Sequence, residues 1–296
     1  MDVLKKIRAA KRMDRGMTVV FYVVAGAAIA LLCAFALTVI IRGFIGFTPE
    51  LLAFNKDGIG NQLFNTVYLV FLSLLISGPL GIAAGIYMAE YARNGPVTRF
   101  LRICIETLSS LPSIVVGLFG YLVFIVLVGG RWSLMAGALA VSILNLPLIA
   151  TTTEDAFRSL PAGYKRGSLG LGATHWQTIF RVMLPACLPR IITGLILAAG
   201  RAFGESAALL YTASTSTDIN WRSWNLASPT CPLNPFRPGE TLSLHIWAAR
   251  TESLSSNAEQ VANFSSAVLL ILVFGFSIGA RFLSRRLDKK MGGHSA

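Results

Sequence analysis

Charge is scarce in this chain. Only 14% of its 296 residues are Asp, Glu, Lys or Arg, where a soluble domain carries about 25%. That shortage excludes a water-soluble globule of this length, whose surface needs far more polar cover. Histidine and cysteine are scarce as well. His175, His245 and His294 are scattered and are read as surface residues. Cys33, Cys104 and Cys187 lie in or beside apolar runs and Cys231 does not, which argues against a disulfide framework. No Cys/His group has metal-ligand spacing, so neither a metal nor another cofactor is expected. There is no Gly-Lys dipeptide and hence no P-loop, so any ATP hydrolysis belongs to another chain. No nucleophile–base pair stands out, and the chain is not expected to be an enzyme.

Apolar length is abundant. Hydrophobic residues make up 54% of the chain, and runs of about 20 residues, each long enough to cross a bilayer, recur along it. They predict an all-α, multi-pass membrane protein with six spans, roughly 17–42, 62–90, 112–130, 133–151, 190–213 and 262–283. The first run follows Lys5, Lys6, Arg8, Lys11, Arg12 and Arg15, is too long for a signal-peptide core, and is read as a retained helix.

The net charge of +12 would suggest a nucleic-acid partner in a soluble protein. Here the basic residues stand at the ends of apolar runs. Nineteen of the 26 Lys and Arg fall at the N-terminus, in 91–111, in 152–190 and at the C-terminus. Six (Arg42, Lys56, Arg131, Arg222, Arg237 and Arg250) fall on the other side, and Arg201 lies within a span. This bias predicts that both termini are cytoplasmic, with lipid rather than nucleic acid as the surrounding partner. The expected division is a basic cytoplasmic segment (1–16), a transmembrane domain (17–283) and a basic cytoplasmic tail (284–296). Its long loops are 152–190 inside and 214–261 outside. The later part of the outer loop, 240–261, is compatible with an interfacial helix anchored by Trp247. Gly78-Pro79, Leu111-Pro112 and Leu146-Pro147 predict kinks, and Gly81 with Gly85 predicts close helix packing.

Two places carry the chemistry. From Thr174 to Met183, Trp176, Ile179, Phe180 and Met183 recur at helical spacing. Thr174 with Gln177 reads as a capping box, Gly172 allows a tight turn before it, and Pro185 is expected to end the helix. Its apolar face needs cover, from the membrane interface or from a groove on a soluble partner. The second place is Arg201 with Glu205, four residues apart and so expected on one face of the fifth helix. Charges inside a bilayer face protein or water. Arg201 presents a planar fork of donors suited to an oxyanion, and Gly200 and Gly204 leave room for close approach. A helix–helix ion pair with no ligand is the alternative. Glu90 and Glu106 are read as caps at cytoplasmic helix ends.

The loop resembles the signature loop of ATP-binding-cassette (ABC) importer permeases of type I. Gly172 holds the glycine position, Val182 stands nine residues on for the isoleucine, and Leu184-Pro185 closes the motif. Arg166-Gly167-Ser168 departs from the family's Glu-Ala-Ala. Tyr87 to Tyr91, Glu106 to Gly120 and Arg201 to Ala207 are similar to the permeases of phosphate-specific importers. Thr151 stands where that family often has an arginine. The resemblance implies six helices, a cytoplasmic coupling helix and an ATPase partner in two copies. It also implies a second homologous permease, an extracytoplasmic phosphate-binding protein, and phosphate as cargo. Another oxyanion (sulfate, molybdate or tungstate) or a phosphate-sensing scaffold are the alternatives. Residues implied in ATPase coupling are Gly172, Thr174, Trp176, Ile179, Phe180, Val182, Leu184 and Pro185. Residues implied in the substrate pathway are Arg201, Glu205, Gly200 and Gly204.

Overall fold

The computed structural model describes residues 2–55, 58–92, 95–222, 224–226, 228–252 and 257–291. Lys56, Arg93 and His294 lie outside them. Among the described residues the chain is all-helical. The helices are α1 (Asp2–Phe44), α2 (Gly60–Ile86), α3 (Pro96–Ser110), α4 (Ser113–Gly120), α5 (Leu134–Arg158), α6 (Ala162–Gly170), α7 (His175–Thr178), α8 (Leu184–Phe203), α9 (Ala207–Thr212), α10 (Leu242–Thr251) and α11 (Ala258–Met291). Five continuous helical stretches are long and apolar enough to cross a membrane, and a sixth arises if the bent pair α3–α4 is one span.

That pair departs from the expected third span of 112–130. Leu111 is extended, as a residue before proline prefers, and Pro112 is extended too. The chain therefore turns by 102° between Pro96–Ser110 and Ser113–Leu127. Pro79 and Pro147, by contrast, sit inside unbroken helices. Neighbouring helices hold both segments, so the missing amide hydrogen does not end the helix.

The core forms where α2 lies along α5, the largest helix–helix contact. Small residues make it close. A Cβ added at Gly81 would meet Ile149 at 2.8 Å, and one at Gly85 would meet Thr153 at 2.5 Å. Ser142 donates to the Ser73 carbonyl across the same seam at 3.0 Å. Leu69, Val70, Leu134, Val141, Phe203 and Leu209 pack around it. The long first helix is peripheral: the most apolar stretch of Met13–Phe44 is wholly exposed. It leans chiefly on α11, with Phe44, Phe47 and Phe264 in one aromatic cluster.

Two polar networks mark the opposite ends of α2. At its N-terminal end the loop after α9 folds down over the bundle. Arg237, 1% exposed, donates to Asn65 Oδ1 (2.6 Å) and to the Pro232 and Pro238 carbonyls. Burial lowers its pKa to about 10, so it stays charged at neutral pH. Glu240 accepts from Gln62 at 3.1 Å and meets His245 Nδ1 at 2.9 Å. α10 packs on α11 and α2, and Trp247 rests against the core rather than acting as a free interfacial anchor. Lysine has one compact charge and cannot reach all of Arg237's acceptors. Arg237→Lys is thus expected to destabilise the protein by about 1–3 kcal/mol. Thermal unfolding of the purified chain checks this, and an unchanged Tm refutes it.

Candidate functional site

The segment after α5 is built as the capping box requires. Thr174 accepts from the Gln177 amide at 3.2 Å, and Gln177 Oε1 accepts from the Thr174 amide at 3.0 Å. Gly172 sits at φ +84°, the left-handed region that favours glycine. Pro185 does not end the helix. α7 runs through a wide π-helical turn, Ile179–Met183, directly into α8, where Pro185 occupies a first-turn position. The stretch is continuous, so the missing proline amide leaves a carbonyl of the preceding turn without its usual donor, and the wide turn lies where that bond is absent. The expected short helix and the fifth span are therefore one stretch, His175–Phe203.

The four apolar residues at helical spacing divide into two pairs. Ile179 (0% exposed) and Met183 pack with Ile86, Phe157, Cys187 and Ile191, and Leu184 joins them from the edge. Trp176 (62% exposed) and Phe180 instead stack on each other outside, ring centroids 4.0 Å apart. Leu171, next to the glycine turn, is 91% exposed. Val182 is half-buried. One side of the segment thus anchors to α2 and α5, and the other presents an exposed aromatic pair.

An ion-pair cluster, not expected from the sequence, ties this segment to the end of α2. Glu90 meets Lys165 Nζ at 2.6 Å and His175 Nε2 at 3.1 Å. His175 also lies against the Tyr91 ring. Glu90 is therefore a cross-link rather than a helix cap, and neither His175 nor His245 is a plain surface residue. Nearby, Glu154 joins Arg102 and Arg158, each at 2.8 Å. The spacing of Glu154 and Arg158 carried a sequence signal; Lys165, His175 and Arg102 reach their partners only through the tertiary fold.

The second place differs from expectation. α8 stops at Phe203, Gly204 caps it, and Glu205 lies beyond the break. Arg201 and Glu205 therefore do not share a helix face, and no ion pair forms between them. Glu205 Oε1 instead accepts from the Ala208 amide at 3.1 Å at the start of α9, and its carbonyl accepts from Ser243 at 2.6 Å. Arg201 is exposed, in the last turn of α8, where a cation complements the helix dipole. Its guanidinium makes no ion pair among the described residues. A Cβ at Gly200 would meet nothing within 4 Å. Gly200 and Gly204 line a cavity of about 620 Å³ that also carries Arg42 and Arg250. In the sequence those two arginines mark topology alone.

Helices long and apolar enough to cross a membrane thus surround a loop that is anchored on one side and exposed on the other. The family described as "Binding-protein-dependent transport system inner membrane component" matches residues 81–293, and the chain belongs to it. It is an ABC importer permease subunit, a multi-pass protein embedded in the inner membrane, and permease subunits are not themselves enzymes. It is 51% identical to "Probable ABC transporter permease protein YqgI" of Bacillus subtilis over 235 residues, covering 79% of this chain and 80% of that one. It is 33% identical to "Phosphate transport system permease protein PstA" of Xylella fastidiosa over 243 residues, covering 82% and 79%. Among solved structures it is similar to a bacterial ABC transporter involved in import of the acidic polysaccharide alginate. There the TM-score is 0.63, at 16% identity, over 94% of this chain and 99% of that one. The MetNI methionine ABC transporter is also similar, with TM-score 0.58, at 19% identity, over 81% and 99%. At those identities the two structures share the fold alone.

Proposed function

We propose that this chain is the phosphate-selective permease of an ABC importer. It pairs with a second, PstC-like permease, two copies of an ABC ATPase and an extracytoplasmic phosphate-binding protein. The observation that carries the cargo reading is Arg201, an exposed guanidinium at the end of a membrane-spanning helix with no carboxylate partner among the described residues. A planar fork of donors suits phosphate oxygens. Open space at Gly200 and Gly204 lets an anion or the second permease approach, and Glu205 sets the break that aims Arg201 outward. Glu205 also accepts a hydrogen bond from a protonated phosphate hydroxyl and so disfavours fully ionised sulfate. The PstA relatives and the motifs Tyr87–Tyr91, Glu106–Gly120 and Arg201–Ala207 support the same cargo.

The basic segment 1–16, the loop 152–190 and the tail 284–296 face the cytoplasm, and 214–261 faces outward. ATP binding closes the ATPases against Trp176 and Phe180. The anchored residues Ile179, Met183, Leu184 and Pro185 pass that movement to α2 and α8, with Gly172, Thr174 and Val182 setting the shape of the loop.

The test is labelled-phosphate uptake at low concentration in cells lacking this chain, complemented with the wild-type chain. A tenfold excess of sulfate or molybdate serves as competitor. Restored uptake that the competitors do not block supports phosphate as cargo. Full competition by sulfate, or no restoration, removes that cargo and leaves the permease architecture standing.

A further inference from the structure

We propose that the cavity between α3 and the end of α5 binds the headgroup of an anionic phospholipid from the leaflet on the coupling-loop side. The cavity holds about 600 Å³ and is lined by Arg99, Arg102 and Arg158. Among the described residues, one carboxylate forms ion pairs with these cations. Glu154 reaches Arg102 and Arg158 through the same oxygen, 2.8 Å from each, and Arg99 makes no ion pair among the described residues. The pocket keeps a surplus of positive charge, with guanidinium donors free to take phosphate oxygens.

The wall of the cavity argues for a lipid rather than a free ion. α3 turns by 102° from the helix that follows it, so it runs along the membrane surface when α4 enters the bilayer. Val97, Phe100 and Ile103 recur every three residues on one flank and are 63%, 65% and 54% exposed. Arg99 and Arg102 stand on the other flank. An apolar flank beside a cationic one is the pattern of a helix lying in the headgroup–acyl boundary. A phosphodiester held by the arginines places its acyl chains along the apolar flank. Basic pockets on the cytoplasmic side of membrane proteins take anionic headgroups in this way. The site rests on the reading above that this end of the bundle is cytoplasmic, and it does not depend on the cargo.

The experiment is native mass spectrometry of the purified full-length chain titrated with phosphatidylglycerol, phosphatidylcholine or inorganic phosphate. Phosphatidylglycerol is expected to be retained over phosphatidylcholine, and millimolar inorganic phosphate to leave it in place. Removal of one interfacial charge in Arg99→Gln, with Tm unchanged, is expected to lower retention about fivefold. Arg99→Lys, which keeps the charge, is expected to retain most of it. Equal retention of the two lipids, displacement by inorganic phosphate, or an Arg99→Gln chain that binds like wild type overturns the site. A failed phosphate-uptake assay beside an intact lipid preference removes only the cargo assignment.

Discussion

Trp176→Ala is expected to abolish most ATP-driven uptake while the chain stays folded and inserted, whereas Ile179→Ala loses folded protein. The two residues lie three apart on one short segment, yet the fold uses them oppositely. Ile179 is fully buried against Ile86, Phe157 and Ile191. Truncating such a side chain costs about 2–5 kcal/mol, because the site does not collapse around the void. Trp176 is largely exposed and lies tilted against the Phe180 ring. A large aromatic in that position is the type of residue that dominates protein–protein affinity. Losing it costs about 2 kcal/mol of docking, or roughly thirtyfold. The measurement is recovery of the ATPase with the tagged chain, set against the chain's own level in the membrane. A Trp176→Ala chain that holds the ATPase normally, or that disappears from the membrane, overturns the division.

Arg201→Gln is expected to reduce phosphate uptake by about tenfold or more, with assembly intact, since a hydrogen-bonded charge contributes about 1.5–3 kcal/mol. Arg201→Lys is expected to fall between, keeping the charge but losing the two-pronged geometry. The exposure of Arg201 and the missing ion pair make this a functional prediction. A structural arginine would already be held by a carboxylate, and its loss would lower stability. Initial uptake rates for the three chains, normalised to membrane content, decide the matter. Wild-type rates in Arg201→Gln, or a loss of folded protein matching the loss of uptake, remove Arg201 from the pathway.

Much of this was legible in the order of residues. Hydropathy marks each membrane-crossing stretch because an apolar run of bilayer length has few other places to go. The Thr174–Gln177 box and the Gly172 turn are local chemistry, satisfied within four residues, and they appear as the sequence predicts. Gly81 and Gly85 announced close packing for the same reason: only the missing side chains let Ile149 and Thr153 approach. The Arg201–Glu205 reading failed because its spacing assumed an unbroken helix. The break at Gly204, held by Glu205 capping the next helix and by Ser243 from a distant loop, is not visible in the interval of four.

By itself, the sequence determined the class of the protein: helices of bilayer length, a capped loop between two of them, and no ATP-binding motif of its own. Hydrophobic length and capping are short-range or additive, so residue order carries them. The tertiary structure alone decided which apolar residues of the loop are anchor and which are exposed, how Glu90 holds Lys165 and His175, and where Arg99, Arg102 and Arg158 converge. Those outcomes depend on which helix lies beside which. Two side chains of equal hydrophobicity part company once α2 and α5 cover one side of a segment and none of the described residues covers the other.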